Sequence, residues 1–362
     1  MSELRPIRVL IVDDSALAQK IIRAALIIDP MIDVIGYAKD PLEARDKIKQ
    51  LAPDVITLDI EMPNMNGVAF LERLMRLHPM PVVMVSTRTE RGSDVTLLAL
   101  ELGAVDFVQK PQRIVEFSSD NMAEELRQKV KLAATTKPLN FRRLTKPGNP
   151  SPAAPYGAPT NTNKPSIKNA LIAIGSSTGG VEAIKSLLLD LPNSLPPIFI
   201  AQHMPRSFTQ GLAERLNETT QFNVTQAENG QIARDGDVLI APGGQHITVS
   251  KQQGDLVATI CDGETVSGHM PSVDVLFHSV AKIMGKRAVG VILTGMGQDG
   301  ADGLLNMLNA GAKTIGQSKA SCMIYGMPRA AAELGATAIQ ADLEMIPRKI
   351  MHALDGISRQ HA

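Results

Sequence analysis

Two cysteines in 362 residues leave little capacity for covalent cross-linking: Cys261 and Cys322 stand 61 positions apart, without metal-ligand spacing. Neither a disulfide framework nor a zinc site is supported, and a reducing compartment fits. Net charge is missing as well. The 37 Lys and Arg offset 37 Asp and Glu, whereas a protein that grips phosphate backbones usually concentrates a basic excess on a folded domain. Residues 1 to 135 carry 17 basic and 20 acidic side chains, and residues 169 to 362 carry 14 and 17, so neither region has that excess. No uncharged apolar run approaches the roughly 18 residues of a membrane span. The opening MSELRPIRVLIVDD reaches acidic residues before a signal-peptide core can form. These absences predict a soluble, cytoplasmic protein with no nucleic-acid partner and no membrane insertion.

What is present divides the chain. The segment from Thr136 to Asn169 holds 7 of the 23 prolines, with 6 basic and no acidic residues. Such a composition buries no core and predicts an extended linker. The expected organisation is a domain over residues 1–135, a Pro-rich linker over 136–168 and a second domain over 169–362.

Before the linker, apolar runs (IRVLIV, DVIGYA, DVITL, PVVMVS, DFVQK) alternate with amphipathic segments (SALAQKIIRAALII, PLEARDKIKQL, GVAFLERLMRL, DVTLLALELG and a last helix near Phe117 to Leu132). Five strands each followed by a helix predict an α/β fold, a five-stranded doubly wound parallel sheet. After the linker the alternation resumes with ALIAIG, PPIFIAQH, DVLIAP, AVGVIL and AKTIGQ, interrupted by the hairpin ITVSKQQGDLVATI. That predicts a larger α/β domain with a mainly parallel sheet. Ligands of such sheets bind at the carboxyl ends of the strands.

Asp13 and Asp14 follow the first strand and Asp59 ends the third. Carboxylates gathered on one sheet edge repel one another and call for a hard cation such as Mg2+. For Asp13 or Asp14 alone, an ordinary helix N-cap is an equal alternative. Ser86 closes the fourth strand, and Lys110 closes the fifth before Pro111. Together VDDS, LDIEMP-x-MNG, VST and FVQKP, along residues 7 to about 125, resemble the receiver domain of two-component response regulators, whose fold is flavodoxin-like. That resemblance implies Asp59 as phosphoryl acceptor, with Asp13, Asp14, Asp59 and the Glu61 backbone around Mg2+. It also implies Ser86 and Lys110 at the phosphoryl oxygens and Phe107 at an aromatic switch position. Phe107 has no hydroxyl, so switching there works through packing.

In the second domain Gly175-Ser176-Ser177-Thr178-Gly179-Gly180 joins the strand ALIAI to a helix. In a G-x-S-x-G frame Ser177 stands on a sharp turn beside the free N–H groups of a helix N-terminus. A phosphate loop is the alternative, but the Gly-Lys-Ser/Thr ending is missing. For the base, His78 belongs to the first domain, His361 to the chain end, and His278 and His352 to helix patterns. His203, His246 and His269 remain, and the strand-end position after PPIFIAQ favours His203. Asp299, in the loop TGMGQDG, is the candidate orienting carboxylate, with helix capping as its ordinary alternative and Asp302 as a competitor.

The chain order Ser177, His203, Asp299 differs from the Ser, Asp, His order of α/β-hydrolases. The motifs IGSSTGG, AQHMP, APGGQH, HMPSVD and TGMGQDG, downstream of a receiver, resemble the chemotaxis protein-glutamate methylesterase and protein-glutamine glutaminase (CheB) family. The resemblance implies a catalytic triad of those three residues. It implies methyl-accepting chemoreceptors as substrates, with methanol as a product, and a chemotaxis histidine kinase as phosphodonor. Hydrolysis is expected to need no cofactor, Mg2+ serving the receiver, and a monomer is expected. The alternative from another class is a response regulator whose output domain is a binding adaptor. A DNA-binding output is disfavoured by charge and by the lack of a compact helix-turn-helix pattern.

Overall fold

A computed structural model describes residues 5–62, 66–86, 90–110, 120–136 and 170–359, with backbone only at 86, 90–93, 120 and 121. The chain divides into two compact units, Met1–Thr145 and Lys146–Ala362. The predicted linker falls almost wholly outside the described residues.

The first unit runs β1 (Ile7–Val12), α1 (Ala16–Leu26), β2 (Ile32–Ala38), α2 (Pro41–Leu51), β3 (Val55–Asp59), α3 (Gly67–Leu77), β4 (Val82–Ser86), α4 (Glu90–Glu101), β5 (Asp106–Gln109) and α5 (Asp120–Ala134). The strands pair in parallel in the order β2-β1-β3-β4-β5. Helices are started by local chemistry. Asp40 accepts from the Leu42 and Glu43 amides, Glu43 reaches back to the Lys39 amide, and Pro41 opens α2. Ser15, rather than Asp13 or Asp14, caps α1, its hydroxyl accepting from the Ala18 amide. The capping alternative for the two aspartates therefore fails. Asp13 instead accepts from the Ser15 amide at 2.9 Å, turning the chain into the helix.

The second unit runs β6 (Leu171–Ser176), α6 (Gly180–Leu189), β7 (Ile198–Gln202), α7 (Arg206–Thr219), β8 (Asn223–Gln226), β9 (Ile232–Ala233), β10 (Asp237–Ile240), β11 (His246–Gln252), β12 (Asp255–Cys261), α8 (Val273–Met284), β13 (Ala288–Ile292), α9 (Ala301–Asn309), β14 (Lys313–Gln317), α10 (Met327–Glu333), β15 (Ile339–Ala341) and α11 (Ile346–Arg359). Seven parallel strands lie in the order β15-β14-β13-β6-β7-β10-β8, and β11-β12-β9 form a small antiparallel sheet. The short strands β8, β9 and β15 are additions to the predicted set. The 7-residue β11 and β12 pair as the predicted hairpin.

Strand β6 lies at the centre because it is buried throughout and carries no polar side chain before Ser176, flanked by β7 and β13. From it the chain builds β7 and β10 to one side and returns to lay β13 on the other. The carboxyl ends of β6 and β13 therefore form a topological switch point. Phe277, Leu276 and Val280 of α8 are fully buried in the same cluster as Phe199 and Leu239 of the sheet. Each such side chain contributes roughly 1.5–3 kcal/mol by leaving water. Gly175 makes this packing possible: a Cβ there lies 2.1 Å from Val273 Cγ1, at the start of α8.

Gly175→Ala should therefore lower the thermal unfolding midpoint of the second unit, because α8 must shift off the sheet. In α11 a Cβ at Gly356 meets nothing within 4 Å, so Gly356→Ala should stabilise the fold by up to about 1 kcal/mol of helix propensity and raise the midpoint. Calorimetry of the two variants beside the parent chain checks both signs.

Candidate functional sites

In the first unit the three carboxylates converge as the sequence predicts. Asp13 and Asp59 are buried and Asp14 is exposed, with one ligand oxygen from each within 4.8 Å of the others. Gly67 permits this edge to close: its amide donates to the Ile60 carbonyl at 2.8 Å, and a Cβ there falls 2.0 Å from the Asp59 carbonyl. Lys110 Nζ pairs with Asp13 Oδ2 at 2.8 Å and Asp59 Oδ2 at 2.7 Å. One ammonium against three carboxylates leaves a net charge suited to a divalent ion with hard oxygen ligands, so the residues fit Mg2+. Burial pushes the Asp59 carboxyl up to about 6, against the pull of Lys110 and with a push from Asp13. Lys110 stands above its ordinary value because Asp59 and Asp13 outweigh its own burial.

Phe107 is buried in β5, and the Lys129 ammonium of α5 lies 5.1 Å from its ring centroid. Lys129 also donates to the Phe107 carbonyl at 2.6 Å and pairs with Asp106 and Glu125. Sequence reading missed this brace, whose only signal was a lysine in a helix pattern. The Ser86 backbone ends β4 beside β5, and its side chain lies outside the described residues.

In the second unit Ser177 follows β6 and His203 follows β7. Those strands are neighbours, with Ser176 registered against Gln202. The Ser177 amide donates to the Thr294 carbonyl at 3.1 Å, and the His203 amide to the Ser176 carbonyl at 3.1 Å. Gly179 takes φ +77, which bends the chain into α6. Gln202 staples the two strand ends together. Its Oε1 accepts from Ser176 Oγ at 2.6 Å, and its Nε2 donates to the carbonyls of Ser177 at 3.0 Å and His203 at 3.1 Å. In sequence Gln202 was only a polar residue before a histidine.

His203 Nε2 meets Asp299 Oδ2 at 2.7 Å. Asp299 is 1% exposed, and its carboxylate accepts three further hydrogen bonds. Ser272 Oγ donates to Oδ1 at 2.8 Å, the Val273 amide to Oδ2 at 2.7 Å and the Asp274 amide to Oδ1 at 3.2 Å. Burial alone raises this carboxyl, but His203 and the donors at the α8 N-terminus outweigh it and hold the group at about 2. The capping alternative for Asp299 fails, since Gly300 at φ 87 occupies the N-cap of α9. Asp302 is exposed and pairs instead with His278. Behind Asp299, the Asp274 carboxyl is pushed up to about 6, by burial first and by Asp299 beside it, while accepting from the Gly303 amide at 2.7 Å.

The competing histidines take other positions. His246 is buried, its Nδ1 accepting from the Ser272 amide at 3.1 Å and its Nε2 donating to the Glu264 carbonyl at 3.0 Å. His269 stacks on His203, ring centroids 3.7 Å apart and planes 12° from parallel. Near the Ser177 turn, the amides of Ser177 and Gly295 are engaged, donating to the Thr294 and Ile324 carbonyls at 3.1 Å each.

Comparison with known proteins follows the same division. Residues 172–350 match the family of the CheB methylesterase, and residues 9–120 match the response regulator receiver domain. The chain is 52% identical over 346 residues, 95% of its length and 97% of the other's, to a protein-glutamate methylesterase/protein-glutamine glutaminase 1 of Caulobacter vibrioides. It is 47% identical to the protein-glutamate methylesterase/protein-glutamine glutaminase of Salmonella typhi, covering 95% of this chain and 96% of that one. The crystal structure of the Thermotoga maritima CheB methylesterase catalytic domain is similar with a TM-score of 0.50 and 34% identity, covering 52% of this chain and 98% of that one.

The position of Asp59 sets a pH dependence. The folded unit holds the Asp59 proton more tightly than the unfolded chain does, so stability falls as pH rises from the ordinary carboxylate value of 3.8 through about 6. Without Mg2+, Asp59→Asn should raise the unfolding midpoint of the first unit at pH 7 and above, and the gain should vanish towards pH 4. Added Mg2+ should stabilise the parent chain more than the variant. Thermal melts across this pH range, with and without the ion, check the sign.

Proposed function

Because the chain belongs to the CheB methylesterase family and carries a response regulator receiver domain, we propose that it is a protein-glutamate methylesterase and protein-glutamine glutaminase with Ser177, His203 and Asp299 as its catalytic triad. The observation that carries the residue assignment is the 2.7 Å contact of His203 Nε2 with the buried Asp299 carboxylate, at the strand end beside the Ser177 turn. With Asp299 ionised, Nε2 keeps its proton and Nδ1 keeps its lone pair. Nδ1 is buried with no hydrogen-bond partner among the described residues, which makes it the basic atom. Ser177 attacks the γ-carbonyl of a methylated glutamate as Nδ1 takes its proton. The imidazolium, stabilised by Asp299, then returns that proton to the departing methoxide, and methanol leaves. Water follows the same route to release glutamate. With a glutamine side chain the leaving group is ammonia. Nothing in this cycle asks for a metal.

The substrates are glutamates and glutamines on the cytoplasmic helices of methyl-accepting chemoreceptors. The receiver takes a phosphoryl group from a chemotaxis histidine kinase on the Asp59 carboxylate. Asp13, Asp14, Asp59 and the Glu61 backbone would hold Mg2+, which offsets charge on the incoming group. Lys110 supplies the ammonium on the same side, and Ser86 and Phe107 carry the change outward. Phosphorylation relieves an inhibition that the unphosphorylated receiver exerts. Among the described residues no helix is long and apolar enough to cross a membrane. The balanced charge speaks against a DNA-binding regulator and the enzyme-like site against an adaptor; a cytoplasmic monomer is the form proposed.

Methanol release from membranes bearing methylated receptors tests the site. Ser177→Ala and His203→Ala should each fall to the same residual rate, because triad members act as a unit. Full turnover in Ser177→Ala would falsify the nucleophile, and a larger loss in His246→Ala than in His203→Ala would reassign the base.

Regulation is tested separately with acetyl phosphate and Mg2+. The parent chain should form a base-labile acyl phosphate and Asp59→Asn should not. Residues 169–362 alone should demethylate receptors faster than the unphosphorylated full chain. Equal rates at matched concentration would remove the inhibition from the scheme.

A further inference from the structure

A general base must be held in direction and in plane, and the Asp299 contact secures only the first. One hydrogen bond at Nε2 points the His203 ring at the carboxylate but leaves the ring free to swing about that axis, and Nδ1 has no hydrogen-bond partner among the described residues to stop it. Among the described residues, the face of His269 lies against the ring, its centroid 3.7 Å from that of His203 and its plane 12° from parallel.

The segment that carries His269 is built to keep that face still. Val266 and His269 exchange both backbone hydrogen bonds, at 3.0 and 3.1 Å, around Ser267 at φ 54 and Gly268 at φ 79. Two successive left-handed residues are the pattern of a type I′ turn, which closes tightly. On the far side the Met270 carbonyl accepts from the Gly244 amide at 3.0 Å. His246 then ties both ends of the segment together. It donates from Nε2 to the Glu264 carbonyl, before the turn, and accepts at Nδ1 from the Ser272 amide, after it. This fixes His246 as a neutral ring with both nitrogens occupied. Ser272 in turn gives its hydroxyl to Asp299. The anchors of the loop therefore end on the same carboxylate that holds His203.

Resting on the triad reading above, we infer that His269 is a positioning residue: stacked on His203, it fixes the plane of the imidazole, and His246 fixes His269 in turn. Neither histidine moves a proton in this role.

The experiment measures kcat and KM for methanol release by the full chain, treated with acetyl phosphate and Mg2+, with thermal unfolding recorded for each variant. His269→Ala should lower kcat about tenfold while KM changes less than about twofold, since misorientation of a base is felt in the transition state. His269→Phe, which restores a flat face without nitrogens, should recover most of kcat, and His269→Leu, apolar but not planar, should not. Wild-type kcat in His269→Ala overturns the inference. So does a His269→Phe variant as slow as His269→Leu, a comparison that stands even where the alanine variant unfolds. His203→Ala in the same series separates the two levels. If His203→Ala is inactive and His269→Ala normal, only the inference falls; if His203→Ala is normal, the triad falls and takes the inference with it.

Discussion

An ion that has lost its water must find donors elsewhere, and Asp299, 1% exposed, finds four. Leaving a buried charge unpaired costs several kcal/mol, so this need governs the local architecture. Two of the donors are amides of Val273 and Asp274, which exist as free N–H groups because α8 begins there. Ser272 must be the N-cap so that its hydroxyl faces the carboxylate. Gly175 must lack a side chain so that α8 lies close enough to supply them, and Gly300 must be left-handed so that α9 departs without using Asp299 as its own cap. The carboxyl held at about 2 is the outcome of these demands. An ionised Asp299 in turn keeps the proton on His203 Nε2 and the lone pair on Nδ1.

The receiver solves the opposite problem with the same kind of sheet edge. Asp59 is as buried as Asp299, yet its environment supplies Lys110 and a repelling Asp13 rather than a helix N-terminus, and its carboxyl rises to about 6 instead of falling. One aspartate is held ionised by its donors, and the other, proposed above as the phosphoryl acceptor, is kept short of charge compensation. In both units the reactive groups stand where the strand order reverses: β1 and β3 in one, β6 and β13 in the other. Burial at those strand ends is what makes single side chains there so consequential.

The parts of this arrangement that are continuous in the chain were readable without coordinates. Fully buried parallel strands are unbroken apolar runs, so ALIAIG and AVGVIL announced themselves, and the turns after them marked Ser177 and Asp299. Strands β8, β9 and β15 did not, being only two to four residues long, with polar members in β8 and β15. The choice between capping and catalysis at Asp299 depended on the dihedrals of Gly300, and a glycine's sequence leaves those open. Gln202, His246 and His269 act across strands or loops far apart in sequence, and Lys129 reaches from α5 to the β5 strand. Their roles come from long-range closure, which no local pattern encodes.

Strand order has a consequence for synthesis. Ser177 and His203 are adjacent in space on β6 and β7 and close in sequence, whereas Asp299 follows β13, which pairs with β6 from the other side. A chain still emerging from the ribosome at residue 290 has its serine, its histidine and their shared edge of sheet, but neither the carboxylate nor the partner strand beside β6. The third member arrives through the most non-local pairing at the sheet centre, the slow kind of closure to form. On the proposed triad, hydrolytic competence is therefore absent from the nascent chain until the centre of the sheet is filled, and a partial product of translation ending before Asp299 lacks one of its three members.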